Sequence, residues 1–215
     1  MLKLYYTANR IYVRRNDNII GSFPIGNMKL HRILTFNLPA VLTCGGAFEC
    51  LFYCYALRAE KRFPNTAASR LRNLDMAMSS AFPDILSRVV NLAEDKGVLI
   101  TRPHESGDFY GQKYLDDWID LMINKPTIKF YAYTRSAHLD FSAAPKNFNL
   151  LYSTGGKFDH LIPPLARKCT TFDKDEKPPL DYVVCPCVRG RSTDMCGSVC
   201  YICPNGIKSV ALHKH

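Results

Sequence analysis

Residues 98–134 read VLITRPHESGDFYGQKYLDDWIDLMINKPTIKFYAYT, and this stretch decides the fold. Its two ends, VLIT and TIKFYAYT, are short apolar runs rich in β-branched and aromatic residues, which is typical of buried strands. Between them, the apolar residues at positions 115, 118, 119 and 122 form one face of a helix. A strand, a helix and a strand with short connections predict a parallel βαβ unit.

Further strands and helices are indicated on both sides of this unit. Residues 1–36 predict short strands joined by turns, one of them at NDN 16–18. A helix is predicted from about Phe48 to Arg62, and a second helical stretch from about residue 66 to residue 97, interrupted at Pro83. Later strands are predicted within residues 147–154, 180–187 and 209–215, and residues 159–179 are predicted to be a loop-rich connection.

The length and composition are those of one globular α/β domain. The 215 residues are enough for a single substantial core. We expect an N-terminal β segment at 1–36, an α/β core at 37–180 with the first cysteine cluster, and a Cys-rich C-terminal segment at 181–215 packed on that core.

The chain lacks the signals of a membrane or secreted protein. No apolar run approaches the roughly 20 residues that cross a bilayer, and the N-terminus lacks a signal peptide's apolar segment, so we expect a cytoplasmic protein. The formal net charge of +9 permits binding to nucleic acid or another polyanion. The basic residues are spread out, however, and RRND at 14–17 and VRGRS at 188–192 are short.

Nine cysteines are a high number for such a chain, and eight of them lie in two short windows. In a reducing cytosol, clustered thiols more often bind metal or carry out redox chemistry than form disulfides. The two windows hold Cys44, Cys50 and Cys54, and Cys185, Cys187, Cys196, Cys200 and Cys203; the ninth is Cys169.

The first cluster lies in LTCGGAFECLFYCYA at 42–56. If a helix begins near Phe48, Cys50 and Cys54 lie one turn apart on one face. Gly45 and Gly46 would let Cys44 fold back toward them, at a helix start that favours anionic sulfur. Three converging thiolates suit an iron–sulfur cluster, and zinc would need one ligand more.

The second cluster reads CPCVRGRSTDMCGSVCYICPNG at 185–206. Cys196, Cys200 and Cys203 are spaced C-x3-C-x2-C, which is also the signature of radical S-adenosylmethionine enzymes. In those enzymes the motif precedes the barrel, whereas only twelve residues follow Cys203 here. With Cys185 or Cys187 it predicts a closed four-cysteine site. The first cluster stands before the βαβ segments, although its C-x5-C-x3-C spacing departs from the usual pattern.

Iron–sulfur is favoured over zinc because no histidine stands within ligand spacing of either cluster. The metal ligands predicted in this way are Cys44, Cys50, Cys54, Cys185, Cys196, Cys200 and Cys203.

The string FNLPAVLTCGGAFEC…CYALRAEKRFPNTAASRLRN resembles a family of phage proteins named after gene product 88 of a mycobacteriophage. HESGDFYGQKYLDDWIDL resembles its H-x-SGDF-x-S-x-x-Y-x-x-x-W motif, IKFYAYTRS its FYAYT strand, and the C-terminal cysteines also agree. The resemblance spans most of residues 33–205. It implies a phage origin, hence the host cytoplasm, and a radical-SAM-like partial (β/α) barrel with iron–sulfur cysteines. It implies no particular reaction.

Three polar loops follow predicted strands, where the carboxyl ends of parallel strands share one crevice. They supply catalytic candidates His104, Asp108 and Arg135, and a cofactor-binding loop of Ser153, Thr154, Gly155 and Gly156. Each also has a structural interpretation: His104 as a bridge between backbone groups, Asp108 as a helix cap and the glycines as a bend. Together they could hold a charged small molecule.

Two functions follow from these patterns. The leading hypothesis is an iron–sulfur protein, carrying [4Fe–4S] on Cys44, Cys50 and Cys54, that resembles a radical S-adenosylmethionine enzyme and binds that cofactor beside the loop 153–156. The alternative is a basic module stapled by zinc or a closed cluster, which binds nucleic acid or a host protein without catalysis. A carrier of electrons with closed clusters is a third reading.

Overall fold

The first three strands form a small antiparallel sheet. The computed structural model describes residues 1–27, 29–173, 175–186, 196–198, 200–206 and 208–214. Strands β1 (Leu2–Thr7), β2 (Arg10–Arg15) and β3 (Asn18–Pro24) pair in that order. Asn16 and Asp17 make the tight turn between β2 and β3 with φ of 48° and 66°, a conformation that Asn and Asp tolerate. The predicted turn and strands are confirmed.

A second sheet of seven strands is parallel at every pairing between the described residues. The expectation of an α/β protein with a parallel sheet is therefore confirmed. Its strands are β4 (Ile33–Phe36), β5 (Ile100–Pro103), β6 (Lys129–Thr134), β7 (Phe148–Ser153), β8 (Lys168–Phe172), β9 (Tyr182–Val184) and β10 (Ser209–His213). Their order across the sheet is β4-β5-β6-β7-β8-β10-β9.

Within the described residues, four α-helices and two short 3-10 helices lie between the strands. Helix α4 joins β5 to β6, which pair in parallel, so the predicted βαβ unit is present. The helices are α1 (Tyr55–Arg62), α2 (Pro64–Ala77), α3 (Phe82–Asp95) and α4 (Gln112–Ile123), and the 3-10 helices are Glu49–Tyr53 and Asp159–Leu161. None of the helices in the described ranges is long and apolar enough to span a bilayer.

The two faces of the large sheet have different environments. Alternate residues of a strand point to opposite faces, so Phe130 and Ala132 share one face with Phe36. That face packs against α3 and α4 in the main core, where the Phe36 ring lies 5.5 Å from Phe82 and 6.2 Å from Trp118. The opposite face, with Tyr131 on it, belongs to a smaller apolar cluster.

The C-terminal third of the sheet differs from the sequence-based prediction. Residues 159–179 contain strand β8, where a loop was predicted. This strand is fixed by its pairing with β7 and with β10, which is distant in sequence, and no local pattern reveals that pairing. Strand β10 lies between β8 and β9. The segment 181–215 therefore contributes two strands to the core sheet.

One buried amide ties the two sheets and α2 together. The side chain of Asn73 is 2% exposed. Its Oδ1 accepts a hydrogen bond from the Ser22 amide at 2.8 Å, and its Nδ2 donates to the carbonyls of Ser22 at 3.1 Å and Asn37 at 2.9 Å. Asn37 in turn accepts from the amides of Glu105 and Ser106 at 2.7 and 3.3 Å, which positions the loop after β5.

Replacing Asn73 by alanine should lower the free energy of unfolding by about 2–4 kcal/mol, because three buried backbone groups lose a partner. Urea denaturation measures this. The matched control is N124A, which removes an exposed side-chain bond to the Asp120 carbonyl and should cost no more than about 0.5 kcal/mol. Equal losses in the two variants would contradict the role assigned to Asn73.

Candidate functional site

A cavity of about 580 Å³ lies against the face of the large sheet that carries Tyr131. Its walls come from strand residues on that face and from the loops at the carboxyl ends of β4, β5 and β6. Polar residues from several strands thus meet in one place, as parallel topology leads one to expect. The lining residues used below are Cys44, Cys50, Cys54, Arg102, His104, Glu105, Asp108, Tyr131, Tyr133, Arg135, Ser153, Cys169, Cys185 and Cys196.

Six of the eight thiols that the structure describes border this cavity. They belong to segments far apart in the chain: Cys44, Cys50 and Cys54 of the first cluster, Cys169 of β8, and Cys185 and Cys196 of the second cluster. No disulfide involves the eight cysteines that the structure describes. Cys187 and the VRGRS segment lie outside the described residues.

The local structure around the first cluster differs from the predicted helix at 48–62. The α-helix begins only at Tyr55, and Cys50 lies in the 3-10 helix. The Glu49 amide donates to the Gly155 carbonyl at 3.1 Å, and Cys54 adopts an extended conformation, so the segment cannot continue as one α-helix. Cys54 is instead the N-cap of α1, where its sulfur accepts from the Leu57 amide at 3.4 Å.

The three thiols share the cavity without forming a preformed ligand set. Burial, with the nearby Asp108 carboxylate second, raises the pKa of Cys44 to about 12; smaller contributions come from Cys50 and Cys54. Cys44 is therefore a neutral thiol until a cation compensates its charge, and metal binding would release its proton. Across the described ranges, no three His, Cys, Asp or Glu side chains stand ready to hold a metal ion.

Three of the six thiols that border the cavity, together with Cys203, gather at the smaller apolar cluster. Cys169 and Cys203 are buried in the smaller apolar cluster, with Cys185 and Cys196 packed against it. Burial raises the pKa of Cys169 to about 12, and the Tyr133 hydroxyl lies 2.9 Å from the Cys203 sulfur. No sequence motif includes Cys169, because this residue joins the group only through the pairing of β8 with β10.

The segment that carries Cys196 and Cys200 is anchored to the chain just before β4. The Cys196 amide donates to the Lys29 carbonyl at 2.9 Å, and the His31 amide donates to the Cys196 carbonyl at 2.7 Å. Cys200 pairs with Cys196 through a backbone bridge and is not among the residues that border the cavity. The second cluster therefore presents its thiols in two different surroundings.

Asp108 is a buried carboxylate that joins two loops. It accepts hydrogen bonds from the Phe109 amide at 2.8 Å, the Thr134 hydroxyl at 2.7 Å and the Arg135 amide at 2.7 Å. Burial raises its pKa, and these three donors act in the opposite direction. Two of the predicted catalytic candidates, Asp108 and Arg135, thus meet at the cavity wall. The contact joins the Asp108 carboxylate to the backbone amide of Arg135.

The guanidinium of Arg135 is only partly satisfied. Its Nη2 donates to the Thr154 carbonyl at 3.1 Å, which connects the loops after β6 and β7. Its Nε is buried and has no hydrogen-bond partner among the described residues. A donor of this kind can serve a ligand in the cavity.

His104 is held as a neutral imidazole in an aromatic environment. Its Nε2 lies 2.9 Å from the Tyr114 hydroxyl, and its ring centroid lies 4.7 Å from that of Phe109. Burial, aided by the positive charge of Arg102, lowers the pKa of His104 to about 3. As it stands, the ring has no proton to donate as an imidazolium near neutral pH.

The loop 153–156 is already occupied by the protein's own groups. The amides of Gly155 and Gly156 donate to the Asp159 carboxylate at 2.8 and 2.9 Å. The hydroxyl of Thr154 lies 2.9 Å from that of Thr170. Ser153 borders the cavity, so it is the member of this loop that a ligand would meet first.

Gly46 packs the thiol-bearing loop against the two loops beside it. A Cβ at this position would lie 2.1 Å from the Arg135 carbonyl oxygen, whereas one at Gly45 would meet nothing within 4 Å. The Gly46 carbonyl also accepts from the Lys157 amide at 2.9 Å. Of Gly45 and Gly46, the two glycines that follow Cys44, only Gly46 is required by a close approach of the backbone.

Arg102, like Cys169, borders the cavity but was not among the residues that the sequence indicated. Its guanidinium carbon lies 4.9 Å from the ring centroid of Tyr133 and 5.7 Å from that of Tyr131. Contacts of this kind contribute about 0.5–2 kcal/mol, depending on desolvation. No sequence motif marks an arginine within a strand. Only the alternation of side chains along β5 and along the aromatic run of β6 could have suggested that Arg102, Tyr131 and Tyr133 share a face.

The fold and the cavity define a class: a parallel α/β protein with a thiol-rich, cationic cavity at the carboxyl ends of its strands. The chain belongs to the family described as Gene product 88, whose family model matches residues 12–214. It is 26% identical over 189 residues to the Gene 88 protein of Mycobacterium phage D29, covering 75% of this chain and 77% of that protein. The Gene 88 protein of Mycobacterium phage L5 is 25% identical over the same shares. No solved structure matches.

Replacing Gly46 by alanine should lower the free energy of unfolding by about 1–3 kcal/mol, because the methyl group would collide with the Arg135 backbone. Thermal or urea denaturation measures this. G45A is the matched control, since the same methyl group enters open space, and we expect a change within about 0.5 kcal/mol. A G46A protein as stable as G45A would refute the close approach.

The buried neutral His104 should make the protein less stable in acid. Its pKa is about 3 in the folded state and about 6.5 when unfolded, so between these values only the unfolded chain takes up the proton. The contribution of neutral His104 to the free energy of unfolding is complete above pH ~6.5. Below that pH the free energy of unfolding falls by up to about 1.4 kcal/mol per pH unit. H104N should flatten the profile measured by urea denaturation, because asparagine tolerates the φ of 64°.

The control is H31N, which removes an exposed histidine and should leave the contribution of His104 to the pH profile in place. If H104N and wild type showed parallel pH profiles, the neutral buried state of His104 would be wrong.

Proposed function

We propose that this protein is an iron–sulfur protein in which Cys44, Cys50 and Cys54 hold a [4Fe–4S] cluster beside a small-molecule cavity. The observation that carries the proposal is that these three thiols border one cavity of about 580 Å³. Iron–sulfur clusters are bound by cysteine thiolates, and the cavity volume is in the range of small-molecule sites. Zinc on the same thiols is the competing reading.

The sheet is proposed to be an open, partial (β/α) barrel. Support comes from two features: its strands are parallel, and α3 and α4 pack on one face while the other faces the cavity. In barrel proteins the functional groups gather at the carboxyl ends of the strands. The loops bearing Cys44, Asp108 and Arg135 follow the carboxyl ends of three adjacent strands in this sheet.

The cavity is proposed to accept S-adenosylmethionine beside the thiols. When bound, a cluster with three cysteine ligands would supply an electron and one open iron position to that molecule. Asp108 keeps its loop fixed through three hydrogen bonds, and the free Nε of Arg135 remains available to an acceptor. Ser153 adds a hydroxyl at the wall, and neutral His104 limits the positive charge.

The C-terminal thiols are proposed to form a second centre or to complete the first. Cys185 and Cys196 border the cavity, and the sulfur of Cys203 lies 2.9 Å from the Tyr133 hydroxyl. Cys200 lies between Cys196 and Cys203 in the chain. If one of them completes the first centre, all of its irons are closed and the protein is a carrier of electrons.

Anaerobic purification followed by iron and sulfide analysis tests the proposal, and we expect a broad absorption band near ~400 nm. C54S should remove most of the iron from the first centre, because the hydroxyl is a poor replacement for a thiolate. T171S is the matched control: it borders the same cavity, keeps the hydroxyl that lies 3.0 Å from the Tyr53 hydroxyl, and should retain the iron.

C200S separates one centre from two. Loss of part of the iron indicates two centres, and loss of all of it from either single change indicates a shared one. A colourless protein loaded with zinc after anaerobic purification would contradict the iron–sulfur proposal and favour the stapled module. Failure to cleave S-adenosylmethionine after chemical reduction would leave an electron carrier.

A further inference from the structure

Arg102 is a cation in the cavity that forms no ion pair with the described residues. The residue borders the cavity, and its Nε is buried with no hydrogen-bond partner in the part of the chain that the structure describes. The nearest acidic side chain on the same loop, Glu105, has its Oε1 engaged by the Asn27 amide at 2.9 Å. The five ion pairs formed between described residues do not include Arg102.

The guanidinium carbon of Arg102 lies over two tyrosine rings. It is 4.9 and 5.7 Å from the ring centroids of Tyr133 and Tyr131, and the two rings meet edge to face, 6.3 Å apart. Cation–π contacts attract the positive charge through the ring electrons, so the N–H edge of the guanidinium can still serve an acceptor. That edge matches the two oxygens of a carboxylate or phosphate.

The charges that surround this position also favour an anion. The ionisable residues bordering the cavity include four cations and two acids: Lys29, Arg102, Arg135 and Lys214 against Glu105 and Asp108. Lys214 is paired with Asp173 at 2.6 Å, so three of the cations remain against the two acids. Asp108 is already satisfied by three donors. A recess with this excess of positive charge and low-dielectric walls attracts anionic ligands.

We propose that Arg102, held by Tyr131 and Tyr133, is the recognition point of an anion subsite that binds the carboxylate or phosphate group of a small organic ligand. Strand β5 carries this subsite, and the loop 153–156 follows β7, two strands further along the sheet. The subsite does not require the metal proposal, because the cation and its two rings are not metal ligands; the Tyr133 hydroxyl does, however, lie 2.9 Å from the sulfur of Cys203, one of the proposed ligands. The tyrosine rings form an aromatic wall for the body of the ligand.

Isothermal titration calorimetry of the full chain tests this, with sodium benzoate and sodium phosphate as the probes and ionic strength held constant with sodium chloride. We expect saturable binding of at least one probe. R102Q should weaken it by about tenfold to 100-fold, because charge-assisted hydrogen bonds are lost. R102K keeps the charge without the planar fork and should fall between R102Q and wild type.

R14Q is the matched control. The Arg14 guanidinium carbon lies 5.2 Å from the Tyr5 ring centroid and its Nε is likewise unpartnered among the described residues, but it lies on the small sheet. It should leave the Kd unchanged. Benzoate binding alone assigns a carboxylate, and phosphate binding alone assigns a phosphate.

Absence of saturable binding for both probes, or equal Kd values in R102Q and wild type, would overturn the proposal. If R102Q does not fold, the Nε–H resonance of Arg102, assigned by its absence from the R102K spectrum, must shift when the probe is added. An unmoved resonance overturns the proposal as well. We expect R102Q to weaken probe binding by the same factor in metal-free and metal-loaded protein. The result therefore stands even if the iron–sulfur proposal fails.

Discussion

The alternation of side chains along the parallel strands is the constraint on which the cavity depends. Helices α3 and α4 cover the face that carries Phe36 and Phe130, so the apolar core is completed on that side. Residues one step along the same strands must then point the other way. Arg102 and Tyr133 therefore face a common space instead of the core, and loops from the carboxyl ends close over it.

Short polar contacts fix those loops relative to one another. Asn37 holds the amides after β5, and Asp108 joins that loop to the one after β6. Asp159 holds the glycine amides after β7, and Gly46 lets the thiol-bearing loop approach the Arg135 backbone. The hydrogen bonds of Asp108 replace bonds to water that burial removes, and together with the other contacts they connect the loops into one rim.

The electrostatics of the cavity suit both a cation and an anion, at different points. Cys44 and Cys169 are neutral because burial disfavours the thiolate, and a metal cation would reverse that balance. Arg102 and Arg135 have unsatisfied Nε groups within the described residues, which favours an acceptor nearby. Neutral His104 adds no further charge between them. The cavity can thus hold oppositely charged groups side by side.

The sequence by itself determined the parallel βαβ unit, strands β7, β9 and β10, and the two cysteine clusters, because these depend on local periodicity and spacing. It placed Asp108, Arg135 and Ser153 after strands, and the structure puts all three at the cavity. Only the tertiary structure decided that α1 begins at Tyr55, that β8 pairs with β10, and that Cys169 and Arg102 belong to the site. Those features depend on partners distant in the chain, and no local pattern encodes the identity of a distant partner.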